Sequence, residues 1–253
     1  MARHDPVSDE FYGPIEACDA ISDGLFYLCA ALSIGALFVD RSRVILYDAV
    51  STLFAIGVIA SFSIGLVLRL YLLPRAEDRR RRDFFTNAYG VDLAPEQTDG
   101  YYNNQETEPT RKVAVQLLED SLFTKVIARR MARGERVRVG VYAGMWLACV
   151  ISRRIDMGVV LVVSQTVFSE QLVSKWLRLE WLRSRAESVH AATYSALANR
   201  LSKAAFAATT IETMALYETT KANAAITLSS RLFRQMNPAL SAQWDTLRAS
   251  LKL

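Results

Sequence analysis

The feature that most constrains this chain is a stretch of nineteen consecutive uncharged residues at positions 50–68. An α-helix rises about 1.5 Å per residue and the hydrocarbon layer of a bilayer is roughly 30 Å thick, so about twenty apolar residues make one crossing. Six arginines follow within the next fourteen positions, at residues 69, 75 and 79–82. Because short basic flanks remain in the cytoplasm, the pattern predicts a membrane span that ends on the cytoplasmic side.

The composition indicates a protein that lies partly in lipid and partly in water. Hydrophobic residues make up 51% of the 253 positions, yet 22% are charged and the formal net charge is +4. The basic residues gather beside the hydrophobic stretches, which suits the anionic cytoplasmic leaflet of a membrane. No helix-turn-helix or RNA-recognition pattern accompanies them, so we do not expect nucleic acid as a partner. Two histidines and three isolated cysteines do not predict a metal site, and no cofactor is expected.

Other hydrophobic stretches predict further spans. Residues 24–39 are sixteen uncharged positions and form a first span, which a short loop at 40–43 joins to the second. A later block at 139–169 is broken only by charges between 153 and 156, and its halves hold fourteen and thirteen uncharged residues. These halves are short for a crossing, but arginine and lysine side chains at their ends can reach the aqueous boundary. We predict two crossings here; a re-entrant hairpin and a buried soluble helix pair are the alternatives.

The predicted fold class is therefore all-α, a polytopic helical membrane protein with four transmembrane helices and cytosolic helical segments. An even number of crossings leaves both termini in the cytoplasm. The predicted parts are a cytosolic N-terminal lead-in (1–20), a first transmembrane hairpin (21–74), a cytosolic helical insert (75–138), a second transmembrane hairpin (139–175) and a cytosolic helical tail (176–253).

Two patterns predict contacts between helices. Gly57, Ser61 and Gly65 recur every fourth position, so they share one face of the second span and let another helix approach closely. In the tail, a four-three spacing is typical of a coiled-coil seam. A hairpin within one chain and a contact between chains both satisfy it. We expect a homo-oligomer, because four modest helices enclose no pore alone. The seam residues are Leu197, Leu201, Ala204, Ala208, Ile211 and Ala215.

Motifs of common catalytic sites are absent from the sequence. It contains no G-x-x-x-x-G-K-[ST], G-x-G-x-x-G, G-x-S-x-G or H-E-x-x-H, so we do not expect an enzyme. Intramembrane charge usually marks an ion or proton route, and the predicted crossings carry only Asp48, near the outer end of the second span. The sequence therefore also argues against a selective transporter.

The cytosolic insert carries RRRRDFFTNAYG at residues 79–90 and DGYYNN at residues 99–104. Placed between two pairs of predicted spans and followed by a helical tail, these motifs resemble the SMODS-associating four-transmembrane effector family of bacterial anti-phage systems. The resemblance covers most of the chain in architecture and part of the cytosolic insert in sequence. It implies a location in the bacterial inner (cytoplasmic) membrane.

The resemblance implies an effector that works beside a nucleotidyltransferase. A cyclic-nucleotide signal made during infection would drive its assembly or rearrangement, permeabilise the membrane and stop growth before phage mature. No separate nucleotide-binding domain is visible in the sequence, so a sensor partner that recognises the signal is the alternative to direct binding. A constitutive small ion channel or transporter, and a membrane scaffold or sensor that signals to a partner protein, are the other functions that remain open.

Direct binding of a cyclic nucleotide needs fixed cations for phosphate and aromatic faces for the bases. Basic residues on the insert lie near two adjacent tyrosines in the sequence, and they are our candidates for this site. A solvated helix surface is the alternative interpretation of each. The candidates are Tyr101, Tyr102, Arg111, Lys112, Lys125, Arg129 and Arg130.

Overall fold

The computed structural model describes residues 7–39, 44–93, 98, 104–152 and 157–253. All regular secondary structure in these residues is helical, which confirms the predicted all-α class. The α-helices are α1 (Gly13–Phe38), α2 (Val44–Val67), α3 (Leu73–Tyr89), α4 (Pro109–Ile151), α5 (Met157–Val167), α6 (Lys175–Ala198), α7 (Lys203–Ala224) and α8 (Ser230–Leu251).

Five-residue π-helical segments precede three of these helices. They cover Ser8–Tyr12, Leu68–Leu72 and Glu170–Ser174. The second joins α2 to α3 without a break, so Val44–Tyr89 is one helical run. It lies just before Pro74, whose missing N–H removes one helical hydrogen bond, and the wider π-helical turn is a usual way to accommodate such a loss.

The chain divides into two compact units. The first, which we call the charged unit, comprises the described residues of Met1–Tyr12, Pro74–Ala132 and Arg178–Leu253. The second, the apolar unit, comprises those of Gly13–Leu73 and Arg133–Leu177. Three of the predicted domain boundaries, at 74, 138 and 175, fall near the points where the chain passes from one unit to the other.

Three helices among the described residues are long and apolar enough to cross a membrane. They are Glu10–Ala36, Val44–Tyr89 and Met157–Ala198, and within the most apolar window of each only 11–12% of the residues are buried. Large apolar side chains therefore cover the surface of the apolar unit; Ile45 is 88% exposed and Ile59 is 65% exposed. A surface of this kind is the usual mark of a face that meets lipid or another protein.

The second hydrophobic block differs from the predicted hairpin in one respect. We expected a helix to begin near residue 139, but α4 starts at Pro109 and continues without a break for 43 residues to Ile151. Gly134 does not interrupt it, because a single glycine inside a helix costs only about 1 kcal/mol relative to alanine. The part of the block after residue 156 forms the eleven-residue α5, followed by a π-helical turn and α6.

The helices of the tail form a hairpin within the chain. Leu182 on α6 packs with Ala224 on α7, and further along α6 Val189 packs with Met214 and Tyr217, so the two helices run antiparallel. The predicted seam is not one continuous stripe, because it extends over the end of α6 and the start of α7.

Local hydrogen bonds explain that break. Asn199 Nδ2 donates to the carbonyl of Ser195 at the end of α6, and Ser202 accepts from the backbone N–H of Ala205 to begin α7. The two seam residues up to this break are Leu197, on α6, and Leu201, in the connection. The remaining four, Ala204, Ala208, Ile211 and Ala215, lie exposed on α7.

The first half of α4 is the centre of the charged unit. All six residues from 113 to 118 are buried, so neighbours surround this part of the helix on every side. Val113 and Leu117 pack with residues of α3, α6 and α7, whereas Leu118 and Leu122 pack with Trp244 on α8. The helix therefore holds together elements that lie far apart in the sequence.

The small residues of α2 have two different environments. A Cβ atom added at Gly57 would lie 2.7 Å from Cys29 Sγ on α1, closer than such contacts occur. A Cβ added at Gly65 would have no heavy atom within 4 Å. Close approach to α1 therefore depends on Gly57, whereas space remains beside Gly65.

We predict that Gly57→Leu destabilises the apolar unit and that Gly65→Leu does not. Both substitutions add the same side chain to the same helix, but only the first forces α1 and α2 apart, which we expect to cost about 1–3 kcal/mol. Thermal unfolding of the protein purified in detergent without added phospholipid measures the difference. Equal unfolding temperatures for the two variants would contradict this account of the packing.

Candidate functional site

The end of α3 organises the segment that follows it. The Asp83 carboxylate, 2% exposed, accepts hydrogen bonds from the backbone N–H of Thr98 at 3.1 Å and from the Thr98 hydroxyl at 2.7 Å. Thr86 Oγ1 accepts from the backbone N–H of Leu93 at 3.1 Å. Gly90 ends the helix with φ at +67°, a conformation that favours glycine. Polar residues of the RRRRDFFTNAYG motif therefore hold Leu93 and Thr98 against α3.

The start of α4 is tied to the same helix end. Lys112 Nζ donates to the carbonyl of Asn87 at 2.7 Å, and Gln116 Nε2 donates to Asn87 Oδ1 at 2.6 Å. A lysine beside the last carbonyls of a helix is favoured by the helix dipole. Arg111 forms an ion pair with Glu106 at 3.0 Å. Lys112 and Arg111, two of the candidate ligand-binding residues, thus have structural partners within the protein.

The other candidates lie elsewhere on α4. Lys125 follows Lys112 by thirteen residues, so at about 1.5 Å per residue the two positions are about 20 Å apart along the helix axis. Arg129 is exposed and lies 3.9 Å from Glu187 on α6, and Arg130 is exposed one position later. Burial lowers the pKa of Lys125. The basic candidates therefore form two separate groups, at the start of α4 and near residues 125–130.

Tyr101 and Tyr102 lie outside the described residues. The site predicted from the sequence, basic residues beside two aromatic side chains, therefore stays a prediction.

A second polar group in the charged unit was not predicted. Glu77 on α3 accepts hydrogen bonds from Lys221 Nζ at 2.7 Å and from the Tyr12 hydroxyl at 3.1 Å. Lys221 also pairs with Glu218 at 2.9 Å. The Arg80 guanidinium lies 5.8 Å from the centre of the Tyr12 ring. We call these five residues the ionic network; they join the segment before α1 to helices α3 and α7.

The charges of the network are mostly removed from water. The side chains of Lys221 and Glu77 are only 20% and 24% exposed. Burial by itself lowers the pKa of Lys221, but the carboxylates of Glu77 and Glu218 outweigh this effect and hold the pKa well above its usual value. Lys221 thus stays protonated and serves as the shared cation of two carboxylates.

Helix α4 lines the network with weaker polar groups. The Tyr217 hydroxyl and Thr124 Oγ1 are hydrogen-bonded at 2.7 Å, and Lys221 Nζ lies 5.1 Å from the centre of the Tyr217 ring. Burial raises the pKa of Asp120 to about 6, although Lys221 and Arg80 act in the opposite direction. Residues of α4 therefore border the ionic network, which itself joins α3 to α7.

The polar side chains of the ionic network pair with one another across α3, α7 and the segment before α1. Within the described residues, no group of three or more His, Cys, Asp or Glu side chains could hold a metal ion. His190 Nδ1 lies 3.4 Å from Ser121 Oγ, but that hydroxyl donates to the carbonyl of Leu118 at 3.0 Å. The serine proton is thus directed to a backbone carbonyl and away from the imidazole, unlike the arrangement of an activated nucleophile.

No local pattern in the sequence reveals the network. Lys221 and Glu77 are 144 residues apart, and Tyr12 and Glu77 are 65 apart. Each residue alone is an ordinary member of a polar helix. Comparison with known proteins adds no further information: no protein-family model, curated protein or solved structure matches the chain.

We predict that Lys221→Met destabilises the protein by about 3 kcal/mol, because it leaves two partly buried carboxylates without their cation. Arg82→Met is the matched control: Arg82 pairs with Asp78, but its side chain is 57% exposed. Loss of such a surface pair costs about 1 kcal/mol or less. Denaturant unfolding in detergent compares the two, and Glu77→Gln added to Lys221→Met is expected to restore part of the loss. Equal effects of Lys221→Met and Arg82→Met would contradict a stabilising role for the network.

Proposed function

We propose that this chain is a bacterial inner-membrane effector that permeabilises the membrane in response to a cyclic-nucleotide signal during phage infection. The apolar unit lies in the bilayer, and the charged unit receives the signal in the cytoplasm. The resemblance of residues 79–104 and of the span layout to the anti-phage effector family supports the reaction to infection. Lipid is one partner, and further copies of the chain are the other.

The observation that carries the proposal is the hydrogen bond of 2.7 Å from Lys221 Nζ to Glu77 Oε2. Glu77 lies on α3, and α3 continues from the apolar α2 as one helical run, Val44–Tyr89. Lys221 lies on α7, at the opposite end of the hairpin from the connection to α6. A ligand or partner that shifts α7 therefore acts on a residue of the same helical run that crosses the membrane.

The trigger in this proposal binds the exposed arginines Arg129 and Arg130. Their guanidinium groups supply bidentate donors for phosphate. Glu187 lies 3.9 Å from Arg129 and also pairs with Arg183 on α6 at 3.0 Å. An anionic ligand would compete with Glu187 for Arg129 and so alter the contact between α4 and α6. This is the local electrostatic change by which phosphate ligands commonly switch a structure.

We also propose that the end of α4 and helix α5 supply a third and a fourth crossing. Trp146 Nε1 donates to Ser164 Oγ at 2.7 Å, and the rings of Trp146 and Phe168 lie edge to face at 5.6 Å, so the two segments pack as a pair. Each is short for the hydrocarbon layer, since eleven residues of α5 span about 16 Å. Charged flanking side chains that reach the boundary would compensate.

Two of those flanking charges contact the same part of α1. Lys175 lies 3.4 Å from Asp23, and the Arg138 guanidinium lies 5.9 Å from the centre of the Tyr27 ring. Asp23 and Tyr27 are one helical turn apart. The two ends of the proposed crossing pair thus meet α1 at one level, as expected where a hairpin returns to the side from which it entered.

Topology is tested with fusions to either terminus. Four crossings predict that green fluorescent protein is fluorescent at both ends and that alkaline phosphatase is inactive at both, because both termini face the cytoplasm. Three crossings would place the termini on opposite sides, so an active phosphatase fusion at one end alone would overturn the proposed topology.

The function is tested by measuring membrane potential in bacteria with a voltage-sensitive dye. We predict that the wild-type chain depolarises cells when co-expressed with an active cyclic-nucleotide-producing nucleotidyltransferase, and not with an inactive one. Arg129→Gln combined with Arg130→Gln should abolish this response without reducing the amount of protein in the membrane fraction. Arg231→Gln combined with Arg234→Gln, an exposed arginine pair on α8, is the control and should respond like the wild type.

Each other outcome identifies a different function. Depolarisation without any trigger would indicate a constitutive channel. No depolarisation with any trigger would indicate a scaffold or sensor that acts through a partner. A full response from the Arg129 and Arg130 double variant would rule out signal recognition at these two arginines.

A further inference from the structure

The apolar unit contains a groove of about 480 Å³ between α1, α2 and the segment that includes the end of α5. Phe26 of α1 and Val58, Phe62 and Leu66 of α2 supply its apolar walls. Ser61 and Gly65 also line the groove. The small residues of α2 therefore differ in role: Gly57 contacts α1, whereas Ser61 and Gly65, one and two turns later, border the groove.

The large side chains that α2 and the next helical turn contribute to the groove change from apolar to charged along the chain. Val58, Phe62 and Leu66 lie on α2, and Arg69 follows in the π-helical segment Leu68–Leu72. At about 1.5 Å per residue, these positions extend over about 16 Å of helix. Uncharged polar side chains also line the groove, and Arg69 is its one charged lining residue; the uncharged polar residues are Ser61, Gln165, Ser169 and Gln171. The groove therefore has a long apolar part and a cation at one end.

A buried polar atom lies in the wall of the groove. The Ser169 hydroxyl is inaccessible to solvent and has no hydrogen-bond partner among the described residues. Such a group costs free energy unless a partner outside the protein satisfies it. Ser169 lines the same groove as Arg69, so one ligand that bears oxygen atoms could engage both.

The groove is open along its side. Phe62 is 66% exposed and Val58 is 44% exposed, although both belong to its lining. In a unit whose surface faces the bilayer, a lateral opening of this kind leads to the hydrocarbon layer and admits molecules that are already dissolved there. The occupant therefore comes from the membrane itself.

We propose that this groove binds one anionic phospholipid of the cytoplasmic leaflet. An acyl chain lies along Val58, Phe62 and Leu66, and the headgroup phosphate accepts hydrogen bonds from Arg69. The Ser169 hydroxyl donates to an oxygen of the phosphate or the ester. Charge and apolar length are both matched by such a lipid, whereas a free phosphate would leave the apolar walls uncovered. The inference rests on the proposed location of the apolar unit in lipid, with Arg69 at the cytoplasmic side, and not on the proposed response to a cyclic-nucleotide signal.

Native mass spectrometry of the detergent-purified protein tests the proposal, with phosphatidylglycerol and phosphatidylcholine of identical acyl chains as probes. We expect one phosphatidylglycerol to bind more tightly than phosphatidylcholine. Arg69→Gln should weaken phosphatidylglycerol binding by about tenfold, the change expected for loss of one charge-assisted hydrogen-bonding group. Gly65→Leu should abolish binding of both lipids, because a Cβ at this position meets no heavy atom within 4 Å and the leucine side chain can therefore fill the groove.

Matched controls separate the site from general effects. Gly24→Leu adds the same side chain at another position on the apolar unit where a Cβ meets no heavy atom within 4 Å, and Gly24 is not among the residues that line the groove. Arg75→Gln removes a neighbouring cation from α3. Both should bind lipid like the wild type. Equal affinity of the wild type for the two lipids, or equal binding by the Gly65→Leu and Gly24→Leu variants, would overturn the proposal.

Discussion

The large apolar surface that the apolar unit leaves exposed is the strongest constraint on this structure. The helices of this unit leave most of the surface of Ile45, Ile59 and Phe62 exposed, and burial within the unit covers few of the residues in its apolar windows. In water such a surface would be costly, because each square ångström of apolar area is worth about 25 cal/mol. In lipid the same surface is favourable, and a helix satisfies the backbone groups of its interior by its own hydrogen bonds. The charged unit has the opposite character, with a core of its own around α4 and charged residues at its surface, so the two units are suited to different phases.

The ionic network is the other strong constraint, and its value lies more in specificity than in net stability. Removing two charges from water costs free energy that their attraction returns only when the geometry is good, so an apolar replacement can be as stable. What the network provides is a unique arrangement: Glu77 is satisfied only when both Tyr12 and Lys221 are in place. Because these residues come from the segment before α1 and from α7, a change in either segment alters the environment of α3. Such a group suits a switch, because a buried polar network that is only partly satisfied is costly.

The sequence predicted those features that depend on local composition. The helical class, the long apolar helix over residues 50–68 and the close approach at Gly57 all follow from residues that are neighbours or one turn apart. The length of α4 and the division of the tail into α6 and α7 could not be predicted from local composition. Gly134 is of a residue type that often ends a helix, but α4 continues through it. Asn199 ends α6 and Ser202 begins α7, each with a side-chain hydrogen bond to the backbone. The contact between Glu77 and Lys221 could not be predicted, because the two residues are 144 positions apart and only the whole fold brings them together.

The lipid groove and the ionic network have a common element in the helical run from α2 to α3. Arg69 belongs to the groove and Glu77 to the network, and they are eight residues apart in the sequence of that run. A ligand shifts an equilibrium only by the difference in its affinity for the two states. If both proposals hold, a lipid held by Arg69 favours whichever state keeps the groove intact, and a signal that binds Arg129 and Arg130 must overcome that preference. By linkage the reverse also holds, so a signal that changes the groove must change the affinity for lipid by the same factor. Sensitivity to the trigger would then depend on the anionic lipid content of the membrane, which no property of the charged unit alone would produce.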